Sequence, residues 1–192
     1  MENLTEEYSA DLTGLNPRER IAAIRKIQDD ILAGLPLNTL YIVLHIRNDP
    51  PGQNDFHWGL YFHDRVTGGV KYHVTNPSSE GRGWPADHAR TAGVMRSNLL
   101  CALDLIATIP SDKVAQVDPI MRFHDEHLNS MPGLTCRVWV LTIVKKPVEQ
   151  GLVRCNDLKA LEAECFALGN HFLKTAAAAI QPRPIIKSRV CH

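Results

Sequence analysis

Apolar and polar residues alternate along the segment from Phe56 to Thr75, which is the pattern of two short strands. Large apolar side chains take every second position of both runs, namely Trp58, Leu60, Phe62, Val70, Tyr72 and Val74. The connection between the runs contains Gly68-Gly69, and glycine tolerates the left-handed backbone of tight turns. The pattern therefore predicts a β-hairpin with one apolar face that can be buried.

The opposite face of this hairpin carries side chains that could take part in chemistry. His57, Tyr61 and His73 all stand at odd-numbered positions. A register that pairs odd positions with odd positions places the three side chains on one surface, although the sequence leaves the register open. We expect this surface, the His57/Tyr61/His73 face, to border a functional site.

Patterns elsewhere predict further strands and several helices. The run TLYIVLHIR at 39–47 is almost continuously apolar and β-branched, which is typical of an interior strand. Periodic apolar positions and capping residues predict helices at 16–35, 97–109 and 157–179. The C-terminal run, 181–192, is expected to be extended and to lie on the body as an edge strand.

These elements predict an α+β fold with a small antiparallel sheet covered by helices. The sheet is expected to contain residues 39–47, 56–63 and 70–75. Its hairpin is expected to pack its apolar face on the helices at 97–109 and 157–179.

Length, charge and hydropathy narrow the classes of protein. With 192 residues, the chain is long enough for one substantial core, and we interpret 1–15 as a polar N-terminal arm and 16–192 as a single domain. Lys plus Arg number 21 and Asp plus Glu also number 21, which argues against wrapping of nucleic acid by bulk charge. The N-terminal segment lacks the apolar core of a secretory signal, and no apolar run approaches the roughly 20 residues that span a bilayer. We therefore expect a cytoplasmic protein without a membrane span.

The five cysteines stand at irregular spacing and include no C-x-x-C pair. This pattern indicates neither a disulfide framework nor a structural zinc site. Cys101 is expected to be structural within a tightly packed helix. Cys191 is expected to be a free, exposed thiol close to the C-terminus.

Cys136 is the cysteine most suggestive of chemistry. It follows Met131-Pro132-Gly133 and precedes the segment RVWVLTIV, which fits a helix by its apolar periodicity or a strand by its β-branched residues. In the helical case the thiol lies at a helix N-terminus, where free N–H groups and the macrodipole favour a thiolate. A thiolate beside a histidine is the nucleophile of cysteine acyl transfer. The alternative is a buried, inert cysteine.

The order of these residues resembles that of circularly permuted papain-like enzymes. The resemblance rests on the strand HWGLYF at 57–62, on His73 in the following strand and on Cys136 at a helix start, and it covers about residues 40–150. Histidine before cysteine is similar to the lecithin-retinol acyltransferase-like and PPPDE-type families. The resemblance implies that Cys136 is the nucleophile, His57 the general base and His73 the residue that orients the imidazole. Those families commonly have Asn before the cysteine, where this chain has Thr135.

The whole chain is also similar to a family of filamentous-fungal proteins that share the HWGLYF and YHV strands, a CRVWV segment, a GLV-x-C-x-D-L-x-x-L-E stretch and a late PRP. Small fungal proteins of this kind often belong to natural-product gene clusters. One such group, the arginine-containing cyclodipeptide synthases, makes cyclic dipeptides from aminoacyl-tRNA. This resemblance implies secondary metabolism, an aminoacyl substrate and tRNA as a partner, with no cofactor.

Four residues are candidates for substrate binding, namely Trp58, Tyr61, Arg137 and Trp139. Arg137 could hold a carboxylate or phosphate of the substrate through two parallel hydrogen bonds, or it could form a salt bridge at the surface.

Two other classes of function fit the sequence. In the first, a non-catalytic binding module, the His57/Tyr61/His73 face and the Pro50-Pro51 loop form a ligand groove and Cys136 belongs to the core. In the second, a metal-dependent hydrolase, His124 and His127 share a helix face and bind zinc with a ligand from elsewhere. The pair lacks the spacing of a known zinc motif, and we assign no metal site.

Overall fold

The computed structural model describes residues 2–8, 11–75 and 83–192. Within these residues the α-helices are α1 (Pro17–Gly34), α2 (Val117–Met121), α3 (Cys136–Glu149) and α4 (Leu158–Ala177). The strands are β1 (Thr39–Ile46), β2 (Phe56–Arg65), β3 (Gly68–Tyr72), β4 (Ala89–Thr91), β5 (Leu100–Thr108) and β6 (Ile185–Lys187). None of the helices described is both long and apolar enough to cross a membrane.

The strands form one sheet in the order β4-β3-β2-β1-β5-β6. Neighbouring strands are antiparallel, except that β6 runs parallel to β5. The predicted α+β class is therefore confirmed, and the three predicted strands correspond to β1, β2 and β3. As its almost continuous apolar sequence indicates, β1 lies in the interior of the sheet.

The predicted helix at 97–109 is wrong, because Leu100–Thr108 forms β5 between β1 and β6. Both faces of this strand are buried, with Cys101 on one side of the sheet and Leu103 on the other. A strand buried on both faces needs apolar side chains at consecutive positions, so its sequence lacks alternation and resembles a buried helix. The hairpin packs on α4, as predicted, and on α3 in place of the helix expected at 97–109.

Local capping signals place the starts of α1 and α4 correctly. Asn16 accepts hydrogen bonds from the N–H groups of Arg18 and Glu19, and the Glu19 carboxylate accepts one from the N–H of Asn16. This reciprocal capping box begins α1 where Asn16-Pro17 predicts it. Asp157 caps α4 in the same way through the N–H groups of two residues in its first turn.

The sheet separates two hydrophobic cores. Helix α1 covers the face that carries Tyr41, Val43 and Tyr61. Helices α3 and α4 cover the opposite face, where Trp58 meets Phe166 edge-to-face with ring centroids 5.4 Å apart. The helices cover the middle of the sheet, and the first residues of β2 and the end of β3 border open cavities.

The C-terminal segment adds the edge strand β6, as predicted. The N–H of Leu4 donates to the carbonyl of Ile185, so the N-terminal residues lie along this strand. The prediction of a free, exposed Cys191 is wrong, since this residue is buried and forms a disulfide with Cys155. Spacing alone could not reveal the pair, because 36 positions separate the two residues and only the fold brings them together.

Arg183 connects this segment to the body of the protein. Its side chain is buried, and its terminal nitrogens donate to the carbonyls of Thr175 and Ala176 at the end of α4 and to that of Asn98. A cation at this position also suits the negative end of the helix dipole.

Replacing Arg183 with Met is expected to lower the free energy of unfolding by about 2 kcal/mol, because three carbonyls lose their donor and the hydrogen bond to that of Ala176 is buried. Urea denaturation followed by circular dichroism measures the change. Arg189→Met is the matched control, since that arginine is exposed and, within the part of the chain that the structure describes, only its backbone N–H is bonded. Equal transition midpoints for the two variants would contradict the role of Arg183.

Candidate functional site

Strands β2 and β3 bring the two predicted histidines together. Their register pairs Tyr61 with Lys71, so odd positions face odd positions. Nε2 of His57 lies 2.9 Å from Nδ1 of His73 in a hydrogen bond, with the ring centroids 5.1 Å apart. Gly59 allows this arrangement, since a Cβ there would lie 3.3 Å from the Cβ of His73. The expected contact between His57 and His73 is therefore present.

Cys136 is the first residue of α3, so its segment is a helix and not a strand. Thr135 caps the helix, and its Oγ1 accepts a hydrogen bond from the N–H of Val138 at 3.1 Å. The thiol is only 3 % exposed, and its Sγ lies 4.0 Å from the carbonyl oxygen of Phe56. Cys136 therefore reaches the beginning of β2 from the face of the sheet that α3 and α4 cover.

Two cavities meet at Cys136. The first, the histidine cavity, has a volume of about 320 Å³ and is lined by Arg47, His57, His73, Thr75, Trp84 and Cys136. The second, the aromatic cavity, has a volume of about 250 Å³ and includes Asn54, Trp58, Thr135, Arg137 and Phe166 in its lining. Arg47 and Cys136 line both cavities. A ligand that spans the two would therefore pass over the thiol.

The thiol and His57 share the histidine cavity without a direct hydrogen bond between them. Strand alternation directs His57 away from the face of Phe56 and Trp58, while Cys136 approaches next to the Phe56 carbonyl. Catalytic hydrogen bonds are often long or unaligned in the absence of substrate. What connects the thiol and His57 in this structure is therefore the cavity that both line.

Burial keeps the histidines of this site neutral. It lowers the pKa of His57 to about 4, and the positive charges of Lys71 and Arg47 add to the effect. The pKa of His73 is also lowered to about 4, first by burial and then by Lys71 and by His57. At neutral pH both imidazoles are therefore uncharged, and each has one nitrogen that carries a proton and one that carries a lone pair.

Sequence reasoning missed Asp87, an exposed carboxylate just before β4. Its Oδ2 lies 3.2 Å from Nε2 of His73, and its negative charge attracts a proton to that nitrogen. With Nε2 protonated, Nδ1 of His73 accepts the hydrogen bond from Nε2–H of His57. We therefore assign the free lone pair of His57 to Nδ1. A single carboxylate in an irregular segment carries no sequence signal for this role.

His88 is a second residue that the sequence did not single out. Its Nδ1 accepts a hydrogen bond from the N–H of His73 at 3.2 Å, and its Nε2 lies 3.1 Å from Oδ1 of Asp125. The ring lies against Trp139, with centroids 5.6 Å apart. His88 thus holds the backbone of His73 in place.

The predicted substrate-binding residues separate into two groups. Trp58 and Arg137 line the aromatic cavity, where Arg137 pairs with Glu162 and lies over the ring of Phe166. Tyr61 and Trp139 have no exposed surface, so the expectation that they contact a ligand needs correction. Helix α1 covers Tyr61, although the alternation of β2 places it on the same face as His57. The end of that face at His57 and His73, which α1 leaves uncovered, borders the histidine cavity.

The structure gives no support to zinc binding at His124 and His127. Within 2–8, 11–75 and 83–192, no group of three or more His, Cys, Asp or Glu side chains has an arrangement that could hold a metal ion. His127 belongs to a short 3-10 segment, Asp125–Ser130, in which its own backbone departs from helical geometry.

Comparison of the chain with protein-family models, with curated proteins and with solved structures found no match in any of the three.

Proposed function

We propose that this protein is a cysteine- and histidine-dependent acyl-transfer enzyme. The observation that supports this function most is the shared lining of the histidine cavity, which joins Cys136 at the start of α3 to the hydrogen-bonded His57 and His73. A thiol, a neutral imidazole and a second group that orients the imidazole are the parts that cysteine acyl transfer needs.

In the proposed first half-reaction, Nδ1 of His57 takes the proton from the Cys136 thiol as Sγ attacks the carbonyl carbon of an acyl donor. The oxyanion that forms accepts hydrogen bonds from N–H groups at the start of α3, which have no partner within the helix. The imidazolium of His57 then gives its proton to the leaving group, and a thioester on Cys136 results. His73 and Asp87 stabilise the transient positive charge on His57.

In the second half-reaction, an amine, an alcohol or water attacks the thioester carbonyl while His57 accepts its proton. The bond to Sγ breaks, and the proton returns to the sulfur. Both steps require Sγ to reach Nδ1 of His57 when the donor fills the cavity.

Intact-protein mass spectrometry tests the proposal. Wild-type protein is expected to gain the mass of one acyl group from a donor panel of acyl N-acetylcysteamine thioesters and aminoacyl-tRNA, and Cys136→Ala is expected to gain none. Cys101→Ala is the matched control, because Cys101 is also a free, buried thiol but lies in β5 and donates to the carbonyl of Gly169. The proposal fails if no donor labels the folded wild type, or if Cys136→Ala is still labelled.

Aminoacyl-tRNA belongs in the panel because of the resemblance to arginine-containing cyclodipeptide synthases. For that narrower proposal, an arginyl adduct would form on Cys136, and the amine of a second amino acid would release a cyclic dipeptide. Detection of the cyclic product with wild type, but not with Cys136→Ala, would support it.

A non-catalytic binding module is the second candidate. The 3 % exposure of Cys136 and the lack of a hydrogen bond from its thiol to His57 favour this function. The two candidates differ in the adduct experiment, because a binding module takes up ligand without a covalent change in mass.

A further inference from the structure

Arg47 occupies a central position between the two cavities. It directly follows β1 at the end of the sheet where the histidines lie, and it lines both the histidine cavity and the aromatic cavity. Cys136 is the other residue among the described linings that the two cavities share. A group bound by Arg47 would therefore lie beside the proposed nucleophile.

The positive charge of the Arg47 guanidinium is only weakly offset by carboxylates of the described residues. Its nearest carboxylate contact is long, with 3.7 Å between Nε and Oδ1 of Asp55. The other oxygen of Asp55 accepts a short hydrogen bond from the side-chain amide of Asn48. Over the described ranges, the Arg47 side chain makes no hydrogen bond, and 48 % of its surface is exposed. Its terminal nitrogens are thus available to a ligand.

Arg137, which also lines the aromatic cavity, differs from Arg47 in how its charge is paired. It forms a close ion pair with Glu162 and also lies over the ring of Phe166. Among the described residues, the site therefore has one arginine in a close ion pair, Arg137, and one in a long ion pair, Arg47.

The position of Arg47 also connects it to the proposed base. Its positive charge is one of the causes that lower the pKa of His57, after burial and Lys71. An anion on Arg47 would offset that charge, so the binding of an anionic ligand would strengthen His57 as a base.

We propose that Arg47 binds a carboxylate or phosphate group of the acyl donor, and that the substrates of this site are anionic acyl compounds. The planar guanidinium matches both groups through two parallel hydrogen bonds. This inference rests on the proposed acyl transfer for its substrate class, whereas anion binding by Arg47 can be measured without any reaction.

Three donors of nearly equal size test the inference, namely the N-acetylcysteamine thioesters of glutarate, of its monomethyl ester and of 4-phosphonobutyrate. Wild type is expected to form the Cys136 adduct about tenfold faster or more with an anionic donor than with the methyl ester. Comparison of glutarate with phosphonobutyrate shows which anion the site prefers.

Arg47→Gln is expected to slow adduct formation with the anionic donors to the rate seen with the methyl ester. Arg137→Gln is expected to keep the ratio between donors, whatever its effect on the absolute rates. Equal rates for all three donors in wild type, or a ratio that survives in Arg47→Gln, would overturn the inference.

Binding to the unreactive Cys136→Ala variant separates the two proposals. Titration calorimetry with the same three compounds is expected to show tighter binding of the anionic ones and loss of the difference when Arg47→Gln is added. If no adduct ever forms but this difference is present, acyl transfer is wrong and the anion site stands. If adducts form and neither rate nor binding depends on the anionic group, acyl transfer stands and the role of Arg47 is wrong. If neither adducts nor anion-dependent binding are found, both proposals are wrong.

Discussion

Asp104→Asn is expected to raise the free energy of unfolding by on the order of 3 kcal/mol near pH 8 and to change it little near pH 4. Asp104 lies in β5 with no exposed surface. One carboxyl oxygen is 3.6 Å from the Cys165 thiol, and the other has no hydrogen-bond partner among the described residues. Burial raises the pKa of Asp104 to about 7, with a further contribution from the charge of Glu164. An amide of the same shape is never charged, so it avoids the cost of a buried carboxylate.

The direction of this effect follows from proton binding. The ordinary pKa of an Asp side chain is 3.8, so between that pH and about 7 the folded state holds a proton that the unfolded state has lost. The contribution of Asp104 to stability is therefore fully present only below this range and is lost as the pH rises to about 7. The histidines act in the opposite direction. The pKa of His57 is lowered to about 4 from 6.5, so its contribution is lost as the pH falls through that range.

Urea unfolding at about pH 4, 6 and 8 measures the difference in free energy of unfolding between wild type and Asp104→Asn. The contributions of the histidines cancel in this difference, because both proteins share them. Asp112→Asn is a control, since 75 % of that side chain is exposed. A variant that is no more stable than wild type near pH 8 would show that Asp104 has a favourable interaction as a carboxylate.

His57→Gln is expected to slow formation of the Cys136 adduct by on the order of a thousandfold. Glutamine retains much of the size of histidine and can still bond to His73, but it cannot accept a proton at neutral pH. In wild type the rate should fall as the pH falls through about 4, where His57 becomes protonated. The variant should lack this decrease.

Quenched time courses analysed by intact-protein mass spectrometry measure both rates. His45→Gln is the matched control, because the His45 ring lies 6.1 Å from that of His57 but is absent from the lining of the histidine cavity. Thermal melting of each variant checks that it is folded. A His57→Gln rate close to that of wild type would remove His57 from the role of general base.

Local signals were sufficient for several elements of this fold. The capping residues Asn16 and Asp157 marked the starts of α1 and α4, because a cap depends on the residues next to it in the chain. The alternation in β2 and β3 likewise brought His57 and His73 to one face, since side chains on a strand change sides at every residue. The same reasoning was wrong for β5, where burial of both faces removes the alternation on which it depends.

By itself, then, the sequence determined the α+β class and a hairpin that can place His57 and His73 on one face, because both follow from residues close together in the chain. It left open the register of that hairpin and the choice between helix and strand after Cys136, and the structure decides both. Only the tertiary structure decided which of these residues are accessible. It covered Tyr61 with α1, buried Trp139, joined Cys155 to Cys191 and placed Asp87 beside His73. It also placed Arg47 beside Cys136, about ninety positions away in the chain. Contacts between distant segments depend on the packing of the whole sheet and its helices, and no short pattern of residues contains that information.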